Sequence, residues 1–160
     1  MRERLTSILL IVAIVVLDQW TKVIARHALL MSPRKLAGGL LSFVLTENEG
    51  AFLSLGASLT PGVRMLIFTI FVGVAVLVAL VLLLTGRIHA GDAIAVAAIA
   101  GGGIGNLIDR LTRAGRVTDF IYLQAGPLHT GVFNVADMAI TFAVVWLFVS
   151  SFVHREKRDA

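Results

Sequence analysis

Two aspartates, Asp119 and Asp137, bound the stretch VTDFIYLQAGPLHTGVFNVAD. Asp119 follows a short alternation of apolar and polar residues. Asp137 stands at the mouth of a long apolar run, Met138–Val153. Gly126, Pro127 and Gly131 lie between them and can turn the chain back on itself, so the two carboxyls can be folded together at the edge of an apolar layer. Two carboxyls within hydrogen-bonding reach cannot both ionise easily, and they hold one proton between them. The charged member can then activate a water while the protonated member polarises a carbonyl. That chemistry hydrolyses an amide without metal, cofactor or covalent intermediate. The same two residues also fit a plain structural reading, with Asp119 a strand-end loop residue and Asp137 facing the dipole at a helix start. Spacing alone leaves the two readings level.

Other polar residues gather near the same ends of the apolar runs. Asp18 and Lys22 stand four apart and share a helix face. They form either a self-neutralising pair that snorkels at the membrane edge or an ionisable pair facing a functional cavity. Asn106, Asp109 and Arg110 fall at i, i+3 and i+4, again one face, so Arg110 can pair with a carboxylate while Asn106 points into the same space. Asn48 and Asn134 come from neighbouring segments. No H-E-x-x-H, G-x-S-x-G or P-loop pattern is present. His27, His89, His129 and His154 lack metal-ligand spacing, and cysteine is absent, which removes disulfides, thiolate metal sites and a cysteine nucleophile. Neither a metal nor a cofactor is expected. The net charge is +4, but no basic run is interleaved with aromatics, so nucleic acid is not an expected partner.

The elements that must position these residues are membrane helices. The 160 residues are 58% hydrophobic and only 15% charged, and the apolar residues come in long runs. The expected fold is a single all-α membrane domain, residues 1–160, with four transmembrane helices at about 5–26, 61–84, 93–109 and 135–153. A small extracytoplasmic β element is expected at about 36–58, turning at Asn48–Glu49–Gly50. The first run is read as a retained span, because Asp18, Gln19 and Lys22 interrupt it where a cleavage pattern would stand. The glycines of GGGIG, Gly101–Gly105, suit close helix packing. The head, the 86–90 loop and the tail hold six Lys/Arg in 16 residues, against seven in 64 on the other side. Both termini are therefore expected in the cytoplasm. A proton-coupled transporter or channel subunit using the carboxylates as a relay is a second reading, opposed by the lack of an inverted repeat. A purely structural subunit would leave the polar cluster unexplained.

The blocks DQWTK (Asp18–Lys22), NEGAF (Asn48–Phe52), GGGIGNLIDR (Gly101–Arg110), VTDF (Val117–Phe120) and FNVAD (Phe133–Asp137) resemble, in order, those of the lipoprotein signal peptidases, or signal peptidase II. The resemblance implies an aspartic endopeptidase of the bacterial inner membrane that removes the signal peptide from prolipoproteins. Cleavage falls before a cysteine already carrying diacylglycerol. It implies Asp119 and Asp137 as the catalytic dyad. Asn48, Gly50, Asn106, Arg110 and Asn134 become substrate-contact residues, Asp18 and Lys22 a supporting polar pair, and Asp109 a structural partner. It also implies an active site near the periplasmic face, contact with membrane lipids and sensitivity to the cyclic peptide globomycin. A monomer is expected. Gly103 stands where the family often has Ala, a change expected to loosen that helix slightly.

Overall fold

The computed structural model describes residues 2–49, 59–86 and 88–159. In chain order these form α1 (Arg2–Ala28), β1 (Arg34–Leu36), a 3-10 turn (Ala37–Gly39), β2 (Leu41–Asn48), α2 (Pro61–Thr85), α3 (Ala90–Thr112), β3 (Val117–Ala125), β4 (Leu128–His129) and α4 (Val135–Asp159). All four helices are long and apolar enough to cross a bilayer. Pro61 opens α2, where its missing N–H costs nothing. Gly86 closes the same helix at φ +66. The expected third span is longer at both ends than 93–109. The fourth stays helical through the charged tail to Asp159.

α3 is the central helix. Half of its most apolar window is buried, against 17%, 11% and 17% for the other three. It is also the least hydropathic of the four, as befits a helix surrounded by protein rather than lipid. Its glycines explain the packing. A Cβ on Gly101 would press on Ile14 of α1, on Gly102 against the Ala136 carbonyl of α4 at 2.6 Å, and on Gly103 against Val76 of α2 at 2.6 Å. Gly103 therefore marks a close approach of α2 rather than a loosened helix. Towards the end away from the sheet, Ala79, Val96 and Ala100 pack with Ile11, Leu83 and Leu147, drawing on all four helices.

The strands form one antiparallel sheet in the order β1-β2-β3-β4. β2 ends at Asn48 and pairs with β1 on one side and with β3 on the other, from Leu41↔Leu123 to Asn48↔Val117. The second half of the expected β element, residues 50–58, lies outside the described residues. β3 turns into β4 through Gly126 and Pro127, with Gly126 at φ +60, the left-handed start that tight hairpins favour. The sheet is seated on the end of α1, where Ala25 and Leu29 pack with Phe43, Phe120 and Ile121.

Candidate functional site

The site is built around the start of α4. Asn134 is its N-cap: the Asn134 Oδ1 accepts the Asp137 N–H at 2.9 Å, and the Asp137 Oδ2 accepts the Asn134 N–H at 3.2 Å. This reciprocal pairing satisfies two N–H groups that a helix start would leave open. The Asn134 side-chain amide points away from the helix and donates to Asp119 Oδ1 at 2.6 Å. One fully buried asparagine thus touches both aspartates.

α1 supplies the counter-charge. Asp18 and Lys22 are both 0% exposed and 2.8 Å apart, so they do not snorkel. Asp18 Oδ1 accepts the Ala136 N–H at 3.0 Å, capping α4 from another helix. Lys22 Nζ donates to Asn106 Oδ1 at 2.9 Å and lies 3.4 Å from Asp109. Asn106 in turn donates to Asp137 Oδ1 at 2.8 Å. The glycine at 105 makes this fit possible, since a Cβ there would meet Asp18 Oδ2 at 2.6 Å. Asp109 accepts the Thr118 N–H at 2.8 Å, which pins the start of β3 to α3. Leaving any one of these charges unpaired at this depth costs several kcal/mol as an order of magnitude.

Asp119 sits within β3, opposite Thr46, and is nearly fully buried, not at a strand end. Asn48 Nδ2 donates to Asp119 Oδ2 at 3.0 Å. Burial, then the charge of Asp137, pushes the Asp119 carboxyl up to about 7, against the pull of the two asparagine donors. It is therefore a carboxyl poised to hold or release a proton near neutral pH.

Arg110 departs from expectation. Among the described residues its guanidinium makes no ion pair. Its one hydrogen bond runs to the Asn106 carbonyl on its own helix at 3.4 Å, and its buried Nε has no partner. It still lies within electrostatic reach of Asp137, Asp119 and Asp109. Asp109, its neighbour on α3, pairs with Lys22 of α1. Gly50 lies outside the described residues. Three contributors were not assigned to the site from the sequence. Gln19 bridges Asp18 and the Gly105 carbonyl, Thr118 is fully buried, and Arg26 donates to Thr118 Oγ1 at 3.0 Å. The available signal was that Gln19 and Thr118 lie inside the quoted blocks and that Gln19 is an uncharged polar residue within an apolar run. Among the described residues no three His, Asp or Glu side chains form a metal cage.

The profile of the signal peptidase (SPase) II family matches residues 10–153. A lipoprotein signal peptidase of Acinetobacter baumannii is 37% identical over 145 residues, covering 90% of this chain and 81% of that protein. One of Hydrogenovibrio crunogenus is 36% identical over 151 residues, covering 92% and 86%. A bacterial membrane enzyme solved by the in meso method at 2.3 Å resolution shares the fold with a TM-score of 0.80 at 24% identity, over 95% of this chain and 90% of its own.

Proposed function

The chain belongs to the signal peptidase II family, and on that footing we propose that it removes the signal peptide from prolipoproteins through a dyad of Asp119 and Asp137. The observation that carries this reading is Asn134, which holds one aspartate with its side-chain amide and the other with its backbone N–H. Four carboxyls, Asp18, Asp109, Asp119 and Asp137, share the cluster with two cations, Lys22 and Arg110, and a proton retained between the two dyad members brings it closer to neutral.

Asp119, pushed up to about 7, holds the proton and polarises the scissile carbonyl. Asp137, at the helix start where negative charge is favoured, takes a proton from the attacking water. The water oxygen bonds to the carbonyl carbon as the Asp119 proton passes to the carbonyl oxygen. Asp137 then protonates the leaving nitrogen, the C–N bond breaks, and the diol returns a proton to Asp119. The dyad ends as it began. Arg110 and Asn106 are substrate contacts, a role supported by the electrostatic reach of Arg110 to both aspartates.

The substrate carries diacylglycerol on the cysteine after the cleaved bond and reaches the site from within the bilayer. The termini face the cytoplasm and the site lies near the periplasmic face, a reading supported by the density of basic residues at the termini. The working unit is a monomer, and globomycin inhibits it. In liposomes, Asp119→Asn and Asp137→Asn should each abolish cleavage of a lipid-modified precursor while leaving the fold intact. Cleavage of the precursor at the wild-type rate by either variant would remove that residue from the dyad.

A further inference from the structure

Asn48 is flanked by two acids that point elsewhere. Successive side chains of an extended chain alternate in direction, so an asparagine directed at Asp119 sends Glu47 and Glu49 away from it. Both acids are gripped. Glu47 pairs with Arg113 at 2.6 Å and with Arg116 at 3.0 Å, and Glu49 pairs with Arg116 and with Arg64, each at 3.5 Å. Arg113, then Arg116, hold the Glu47 carboxyl below the ordinary carboxylate range. The arginines come from two different places, the start of α2 (Arg64) and the loop between α3 and β3 (Arg113, Arg116). Five charged residues thus tie the end of β2 to two other elements, on either side of Asn48, whose side chain reaches Asp119.

We propose that Glu47, Glu49, Arg64, Arg113 and Arg116 are positioning residues that hold the Asn48 amide on Asp119. The proposal rests on the reading of Asp119 as a dyad member. The amide donates to Asp119 at 3.0 Å and favours its charged form. The other groups that act on Asp119 are Asp137 from α4, Lys22 from α1 and the Asn134 amide, with Arg110 of α3 within electrostatic reach. Among the described residues, none of these forms an ion pair with the five charges. Slackening the lattice therefore weakens one donor and leaves the rest in place, and Asp119 then keeps its proton to higher pH. The ion pairs are partly exposed, with Arg116 49% and Glu47 37% accessible, so salt screens them. The deeper Asp18–Lys22 pair is not screened in this way.

The test is the pH profile of kcat/KM on a lipid-modified precursor, with the full chain in liposomes. Glu47→Gln should lower kcat/KM several-fold and move the alkaline limb up by roughly 0.5 pH unit. Glu47→Asp should restore most of both. About 1 M NaCl should move the wild-type limb in the same direction and the Glu47→Gln limb hardly at all. Adding Glu47→Gln to Asn48→Ala should move the limb no further than Asn48→Ala alone. The proposal is overturned if Glu47→Gln lowers only the melting temperature and leaves the limb in place, or if the two variants shift it additively. Failure of the dyad reading looks different: Asp119→Asn would then retain activity, whatever Glu47→Gln does.

Discussion

Asn134 donates its side-chain amide to Asp119 at 2.6 Å while its side-chain oxygen caps the helix that carries Asp137. With Asp119 and Asp137 as the proposed dyad, folding and chemistry depend on the same residue but on different atoms of it, and substitutions can separate them. Asn134→Ala removes both and should cost about 1 kcal/mol of cap energy in addition to activity. Asn134→Ser keeps a capping oxygen but has no amide to give. It should recover most of the melting temperature and stay at least about 100-fold below wild type in kcat, the usual scale for losing a positioned donor in an active site. Thermal unfolding and precursor cleavage, measured side by side, check this. Recovery of activity in Asn134→Ser would show that the amide is dispensable.

The Asp119 carboxyl, pushed up to about 7, makes both activity and stability respond to pH. The folded chain holds that proton more tightly than the unfolded chain does. Its contribution to stability is thus full below the ordinary carboxyl range, is lost as pH rises towards 7, and is constant above that. Activity should fall as pH rises through about 7, when the proton is lost. Asp119→Asn should flatten the corresponding part of the stability profile, as followed by melting temperature between pH 4 and 9.

Gly105→Ala should be among the most damaging one-methyl changes in the chain. The new Cβ would sit 2.6 Å from Asp18 Oδ2, and relief requires Asp18 to leave Lys22 or Ala136. Breaking a buried pair costs about 3–5 kcal/mol, a large share of a typical folding free energy. Loss of folded protein in detergent is the expected result, and a wild-type melting temperature would contradict it.

Gly103→Ala should be milder and repairable. Its clash is with a branched side chain, Val76, at 2.6 Å, and overpacking of this kind costs about 1–3 kcal/mol. Val76→Ala in the same chain should restore the loss, because the two volumes exchange across one contact. A double-mutant cycle on melting temperature measures the coupling.

Lys22→Met should unfold the chain or leave it inactive, since Asp18 and Asp109 would lose their shared cation. Adding Asp18→Asn should recover part of the stability, because one of the two stranded charges is then gone. Recovery is read as returning folded yield without returning cleavage.

The four helices were readable from the sequence because long apolar runs have few alternatives in a chain of this length. Polar residues that converge on one level were readable as interruptions of those runs. What could not be read was partnership. β2 pairs with β3 across some seventy residues and two helices, and no local turn signal encodes that. Helix spacing correctly put Asn106, Asp109 and Arg110 on one side. The cation that reaches Asp109 comes from α1, and one helix's periodicity carries no information about another helix's side chains. Thr118 acts largely through its backbone N–H and carbonyl, which its residue type does not advertise.

The acceptor for the Ala136 N–H is Asp18, made more than a hundred residues earlier. Synthesis runs from α1 to α4, so the acid that caps the last helix is made before the N–H it accepts. The proposed dyad is thus assembled last: until α4 docks on α1, Asp137 and the Asn134 amide are not held beside Asp119.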